Sequence, residues 1–410
     1  MISSFNLDSL KNNLKSIEWS RTYNFITYVV LFFVISNRLF SSVYLEINFA
    51  KHLFQNLTSL FALINLFIFA KQKQYYYVIF ALIGLIIGIL VKSYSTSSVI
   101  LFFVSFTLAF SRLNFKYAMI IFIASIFVFT LITFSFFFLE LFDEIIYMKR
   151  DDNIRETFGF RHPNALGATI FFFCLTIWCS SKSHIQNCIA IVICIISITF
   201  LQNYVDSRTA QHVLSLLLLV ALFFEVAKVL KFNEDKFFSS VVVKNPLIYS
   251  FSLLTVFFIV LVIFYNANNS FYNTLNELFS TRLSLCHNAF DKFDITLFGQ
   301  KLVLSDNDPF RLSSVAAVKF MALDPFCISV LFRYGLVSLV FFAFSFALIS
   351  KKAITNKVYK IAIALTLISL YGLMENMIAT ISYDIFIFMG MMSFNKFTVK
   401  QNLPNNSSGR

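Results

Sequence analysis

Residues 117–140 read YAMIIFIASIFVFTLITFSFFFLE, a run with no charged residue before Glu140. The apolar side chains form a continuous run rather than a periodic stripe, so neither face of a helix here would favour water. At about 1.5 Å per residue, such a run is long enough to cross a hydrocarbon layer about 30 Å thick. Similar runs recur, and spans are expected at 23–45, 52–70, 75–91, 95–111, 117–140, 163–180, 185–204, 208–227, 246–265, 324–350, 358–376 and 380–395, about twelve in all. Asn37 and Arg38 interrupt the first span and mark it as broken or tilted. The expected fold is an all-α polytopic membrane protein.

Composition points the same way. The chain has 410 residues, of which 58% are hydrophobic and 13% charged, and its mean hydropathy is +0.77. A soluble domain with so few charges could not wet its surface. Phe is abundant (56), whereas Gly (9) and Pro (5) are scarce, as suits helices that face lipid. The net charge of +12 would suggest nucleic acid in a soluble protein. Here it follows from a bias of Lys and Arg toward cytoplasmic loops, so no nucleic-acid partner is expected. Lys11, Lys15, Lys71, Lys73, Lys116, Lys228, Lys231, Lys351, Lys352 and Lys396 all fall on one side if the N-terminus is inside, and most acids fall on the other. The bias calls for an even number of spans, with a cytoplasmic segment at 1–22, a membrane domain at 23–395 and a cytoplasmic tail at 396–410. The first apolar stretch follows a polar segment and lacks a small-residue cleavage site, so no cleavable signal is expected. The chain contains no C-x-x-C pair, so neither a zinc site nor a disulfide framework is expected from the spacing. Cys174, Cys179, Cys188 and Cys194 fall within apolar spans as small hydrophobes, and Cys286 and Cys327 fall outside them or at the interface.

Two outer loops stand out, at 141–162 and 266–323. Loops as long as the second are uncommon unless they carry function. Within it, Phe279, Leu283, Cys286, Phe290 and Phe293 recur at helical spacing. That pattern predicts an amphipathic helix lying on the outer membrane surface, with Arg282 off the stripe.

Candidate functional residues gather where outer helices begin. Arg161-His162-Pro163-Asn164 opens one span, with Gly167 a turn later; Pro suits the first helical position, and exposed N–H groups there favour an anion. Ser207-Arg208-Thr209 opens another span, and Arg282 lies in the long loop. Asp324-Pro325 opens a third span, and Glu375 ends the next, near Asp384. Taken singly, each of these also reads as a cap or an interfacial Arg. Together, Arg161, Arg208 and Arg282 would offer permanently charged, fork-shaped donors to phosphate oxygens.

These residues carry a resemblance. Phe158-Gly159-Phe160-Arg161-His162-Pro163-Asn164 with Gly167 is followed in order by Ser207-Arg208-Thr209, by Arg282 and Leu297-Phe298-Gly299, by Leu323-Asp324 with Gly335, and by Tyr371-Gly372 with Glu375. The ordered set, spanning roughly 150–395, resembles the Wzy-type polysaccharide polymerases of the O-antigen polymerase and ligase superfamily. The resemblance implies a fold like that of C-type glycosyltransferases. It also implies location in the bacterial inner or plasma membrane, with the active site on the outer face. The implied substrates, donor and acceptor alike, are undecaprenyl-diphosphate-linked oligosaccharide repeat units for an O-antigen or capsule. Related systems commonly include a chain-length regulator. Related sequences often have Asp-Asn or His-Asn where this one has Asp324-Pro325, which leaves Asp324 readable as a base or as a cap.

On that basis Arg161, Arg208 and Arg282 are expected to hold the leaving diphosphate, and Asp324 or Glu375, then His162, to activate the acceptor. Pro163, Asn164 and Gly167 form the structural part of the motif. An activated donor requires no ATP, in keeping with the absence of a P-loop, and no cofactor is expected. Outer carboxylates are not clustered at ligand spacing, so no metal is expected there. A ligase of the same superfamily and a flippase or transporter are the rival readings. A transporter would place its ionisable groups near midplane, where Arg38 is the main example.

Overall fold

In hydrocarbon, a helix satisfies every backbone N–H and C=O within one segment, so uninterrupted apolar runs become helices. A computed structural model describes residues 7–40, 42–43, 48–142, 148–150, 153–302, 323–379 and 384–392. The first five helices are α1 (Leu7–Phe40), α2 (Asn48–Lys71), α3 (Tyr75–Ser95), α4 (Val99–Ala109) and α5 (Phe115–Phe138). A small antiparallel hairpin follows, with β1 (Met148–Arg150) paired to β2 (Asn153–Arg155). Next come α6 (Pro163–Ser180), α7 (His184–Phe200) and α8 (Arg208–Val229), then α9 (Glu234–Ser239), α10 (Val241–Ile248) and α11 (Ser250–Ile263). The remaining helices are α12 (Ser270–Leu278), α13 (Arg282–Lys292), α14 (Phe326–Arg333), α15 (Gly335–Thr355) and α16 (Tyr359–Tyr371).

Among the described residues, eight helices are long and apolar enough to cross a membrane, and α10 with α11 makes a ninth if that pair, bent by 69°, is one span. This is the architecture of a multi-pass membrane protein. Of the other expected spans, 95–111 and 358–376 correspond to the shorter apolar helices α4 and α16. The one expected at 380–395 shows a short 3-10 helix at Phe386–Met391, and its two ends lie outside the described residues. The 1–22 segment is already helical from Leu7, and the tail at 396–410 lies outside the described residues.

The surface is that of a protein solvated by lipid. Phe67 is 71% exposed and Val242 82%, and Phe25, Ile86 and Leu219 are also exposed. Polar side chains turn inward instead. Asn65, fully buried on α2, accepts from Tyr23 Oη at 2.9 Å and donates to the carbonyls of Leu108 and Ala109 at 2.9 and 2.8 Å. Those carbonyls belong to the last turn of α4, where the regular helical ladder runs out. Of the two alternatives for the first span, a break is excluded: α1 runs unbroken through Asn37 and Arg38. Arg38 lies 4.5 Å over the Phe102 ring, a cation–π contact that lets the helix continue.

The two ends of α6 are tied to different parts of the chain. At one end, Val43 pairs with Phe160 as an isolated bridge. At the other, Lys360 of α16 donates to Trp178 O at 3.1 Å, Ser181 O at 3.0 Å and Ser181 Oγ at 2.7 Å. A cation thus caps the C-terminal carbonyls of α6.

The span expected at 324–350 is divided at Gly335. This residue has φ +86° and a Cβ there would lie 2.3 Å from Leu297 O, while Gly299 has φ +83° and its Cβ would lie 2.1 Å from Arg333 O. The two glycines let segment 296–299 press against the start of α15, where Leu336 N donates to Thr296 O at 2.9 Å and Val337 N to Leu297 O at 3.1 Å. Substituting Gly335→Ala should therefore destabilise the protein by about 1–3 kcal/mol. Gly390→Ala, whose Cβ would meet Ile349 at an ordinary 3.4 Å, should leave stability unchanged; thermal unfolding in detergent measures both.

Candidate functional site

At the Val43–Phe160 end, the starts of three helices converge on one carboxylate. Glu375 lies in the turn after α16 and is 3% exposed. Its Oε1 accepts from Arg282 Nη2 at 2.7 Å, from Asn164 Nδ2 at 2.9 Å and from Thr209 Oγ1 at 3.4 Å. Each donor sits in the first turn of a different helix: Asn164 on α6, Thr209 on α8 and Arg282 on α13. The Arg282 Nη2 also lies 3.6 Å from Asp324 Oδ2, and Asp324 keeps 40% of its side chain exposed. Phe326 N donates to Gly372 O at 2.7 Å, tying the start of α14 to the turn that carries Glu375.

Arg155 extends the network. Its Nη2 donates to Asn164 Oδ1 at 3.2 Å and to Asp206 O at 2.9 Å, and its Nε to Val205 O at 3.3 Å. Asn164 thus receives from one guanidinium and donates to the carboxylate that holds another. The carbonyls of Val205 and Asp206 are available because α7 ends in a π-helical turn, Leu201–Val205, after which Asp206 takes φ 47°. Arg208 Nε lies 3.4 Å from Asp206 Oδ1, and half of the Arg208 side chain is exposed.

Gly167 sets the spacing. A Cβ on it would stand 2.2 Å from Ser207 Oγ. The missing side chain brings α6 and α8 together and so puts Asn164 and Thr209 on the same oxygen.

Burial pushes the Glu375 carboxyl up to about 7, against the pull of Arg282. Burial also raises Asp324 above the usual carboxylate range, opposed by Arg282 and Arg333. Asp324 is the more accessible carboxylate of the two, and Glu375 the more heavily bonded.

Several expectations are corrected. The apolar stripe of the long loop packs against other helices of the protein. α12 ends before Phe279 and α13 starts at Arg282, with Ser280 and Thr281 at φ 50° and 66° between them. Phe279, Leu283 and Cys286 are buried, with Phe279 against Phe258 of α11 and Phe290 against Phe332 of α14. Arg282 is likewise buried, held by Glu375 and not by solvent. The rest of the loop, 303–322, and residues 143–147 and 151–152 of the 141–162 loop lie outside the described residues.

The start of α6 is not a row of open donors. Asn164 N donates to His162 Nδ1 at 3.0 Å and Ala165 N to His162 O at 3.0 Å, which makes His162 the cap of the helix. Pro163 occupies the first helical position, as expected. Asp324 does not cap α14, because no side chain does; its carboxylate faces Arg282. Asp384 accepts from Phe386 N at 2.7 Å and so caps its own turn. Cys286 and Cys327 lie on α13 and α14, outside the helices long enough to span a membrane, and both are buried within the protein.

The three arginines do not share one contact. Arg282 is on Glu375, Arg208 is beside Asp206, and the exposed Arg161 donates through Nε to Val43 O at 2.9 Å. Sequence reasoning missed Arg155 and Asp206 as members of the site. Arg155 lay among the many charges of its loop, and two of its partners are main-chain oxygens about fifty positions away, which no sequence pattern marks.

A buried ion pair is costly to break from one side. Replacing Arg282 or Glu375 singly with Met should destabilise the protein by about 3–5 kcal/mol. The double variant should cost less than the sum of the two, and strict additivity in detergent unfolding would show that the pair is not coupled. Compared with protein-family models, curated proteins and solved structures, the chain matches none of them.

Proposed function

We propose that this chain is a polysaccharide polymerase that joins undecaprenyl-diphosphate-linked repeat units by glycosyl transfer, with lipid diphosphate as the leaving group. The observation that carries the proposal is the convergence of Asn164, Thr209, Arg282, Asp324 and Glu375 at one end of the bundle. These residues come from separate segments of the ordered set that resembles the Wzy-type polymerases.

The buried and exposed members have different roles. Arg155, Asn164, Glu375 and Arg282 form a buried brace, with Glu375 a positioning residue whose Oε1 already holds three donors. Arg208 and Arg161 have exposed side chains suited to diphosphate oxygens, where they would stabilise charge on the leaving group. Asp324 is the general base: partly exposed, raised in basicity by burial, and oriented by Arg282. A sugar hydroxyl of the acceptor unit attacks the anomeric carbon and loses its proton to Asp324. The bond from that carbon to the diphosphate oxygen breaks, and the electron pair leaves with the diphosphate. A direct displacement of this kind inverts the anomeric centre, and no metal or other cofactor takes part.

On this reading the site end faces the outside of a bacterial inner or plasma membrane, and the lysine-rich end faces the cytoplasm. The twelve-span count and the likeness to C-type glycosyltransferases belong to the same proposal, as does a chain-length regulator as partner.

The test is to reconstitute the purified protein with lipid-linked repeat units and resolve the products by size. A ladder of lengthening carrier-linked glycan is expected. Arg208→Lys should lose most of it while still inserting, because Lys keeps the charge but not the planar fork. Full activity of Arg161→Ala, Arg208→Ala and Asp324→Asn would overturn the assignment. Glycan passed to a different acceptor would indicate a ligase, and movement of intact units across the bilayer a transporter.

A further inference from the structure

The opposite end of the bundle holds a second cluster of chemically active side chains. His184 and Cys188 stand at positions i and i+4 in the first turns of α7, on one face of the helix. Glu225 of α8 faces them. The His184 Nδ1 contacts Glu225 Oε2, and Cys188 Sγ lies 3.6 Å from His184 Nε2 and 3.9 Å from Nδ1. One donor atom from each residue fits within 4.8 Å of the others.

We propose that His184, Cys188 and Glu225 form a binding site for a divalent cation of the zinc class, clamping α7 to α8. The donor set of imidazole nitrogen, thiolate and carboxylate suits a borderline transition ion and not calcium or magnesium, which take oxygen donors. With zinc–sulfur and zinc–nitrogen bonds of about 2.3 and 2.0 Å, the edge of a tetrahedral site is roughly 3.5 Å. The His184 Nδ1 that faces Glu225 lies 3.9 Å from Cys188 Sγ, a few tenths of an ångström beyond that edge. His184 and Glu225 need to part slightly, which an imidazole with 71% of its side chain exposed can do by rotation. The same exposure leaves the fourth position open to water.

The outer shell is in place. Glu225 has only 12% of its side chain exposed, and its other oxygen, Oε1, accepts from Asn187 Nδ2 at 2.6 Å and Lys228 Nζ at 2.9 Å. Those bonds orient the carboxylate with Oε2 toward the imidazole and the thiol, as outer-shell partners orient metal ligands. Binding releases the Cys188 proton to solvent, and thiolate and carboxylate then balance the two charges of the ion. A His–Glu ion pair alone needs no thiol at this position. The other five cysteines are buried, whereas Cys188 is partly open beside the imidazole. The proposal does not depend on the polymerase reading.

The probe is Co²⁺, added to the purified full chain in detergent and then displaced by Zn²⁺. One equivalent should bind, with a near-ultraviolet thiolate-to-cobalt band that zinc abolishes. Cys188→Ser should lose the band, and His184→Ala and Glu225→Gln should each weaken binding by about tenfold or more. Cys179→Ser, a buried thiol outside the cluster, should keep it. No band in the unmodified protein, or a band that persists in the Cys188→Ser variant, would overturn the site.

Discussion

A single buried carboxylate oxygen organises one end of this protein. Glu375 Oε1 receives donors from the starts of α6, α8 and α13. Away from water, a lone carboxylate would be strongly disfavoured, so these contacts are a condition for its burial. The requirement runs in both directions: the carboxylate holds three helix starts in register, and it keeps the Arg282 guanidinium from being buried unpaired. Asp324 and the main-chain link from Phe326 to Gly372 bring a fourth element, α14, to the same point.

The two ends of the bundle solve the same problem with opposite charges. At the Glu375 end an anion collects side-chain donors. At the other end the Lys360 ammonium collects carbonyl oxygens from the last turn of α6, together with the Ser181 hydroxyl. Asn65 does comparable work between α2 and the end of α4 with a neutral amide. Lys360 and Asn65 each bond carbonyls at a helix end that lies inside the protein, whereas Glu375 gathers side-chain donors from three helix starts.

Small residues decide where the helices approach. Gly167 admits Ser207, and the Gly299–Gly335 pair lets the long loop press against the break between α14 and α15. That break divides what reads as one apolar run. Hydropathy registers the apolar character of residues 324–350 but not the left-handed backbone at Gly335, because the constraint comes from the carbonyl of Leu297, nearly forty positions earlier.

The multi-pass helical architecture was legible in the sequence, since it depends on local quantities: run length, hydropathy and the placement of charges. Most of the boundaries of α5 to α8 follow from the same quantities, as does the presence of Pro163 at a helix start. The residues that meet around Glu375 were also largely marked, because Asn164, Thr209, Arg282 and Asp324 each belong to a polar stretch that stands out against apolar surroundings. Their geometry was not. The stripe through Phe279 and Leu283 has the same periodicity whether it faces lipid or protein, so only α11 and α14 decided that it turns inward and carries Arg282 with it. Arg155, and the meeting of His184 and Cys188 with Glu225, likewise required the tertiary structure. Their partners are main-chain oxygens or residues of another helix, and a one-dimensional pattern holds no record of which helices lie side by side.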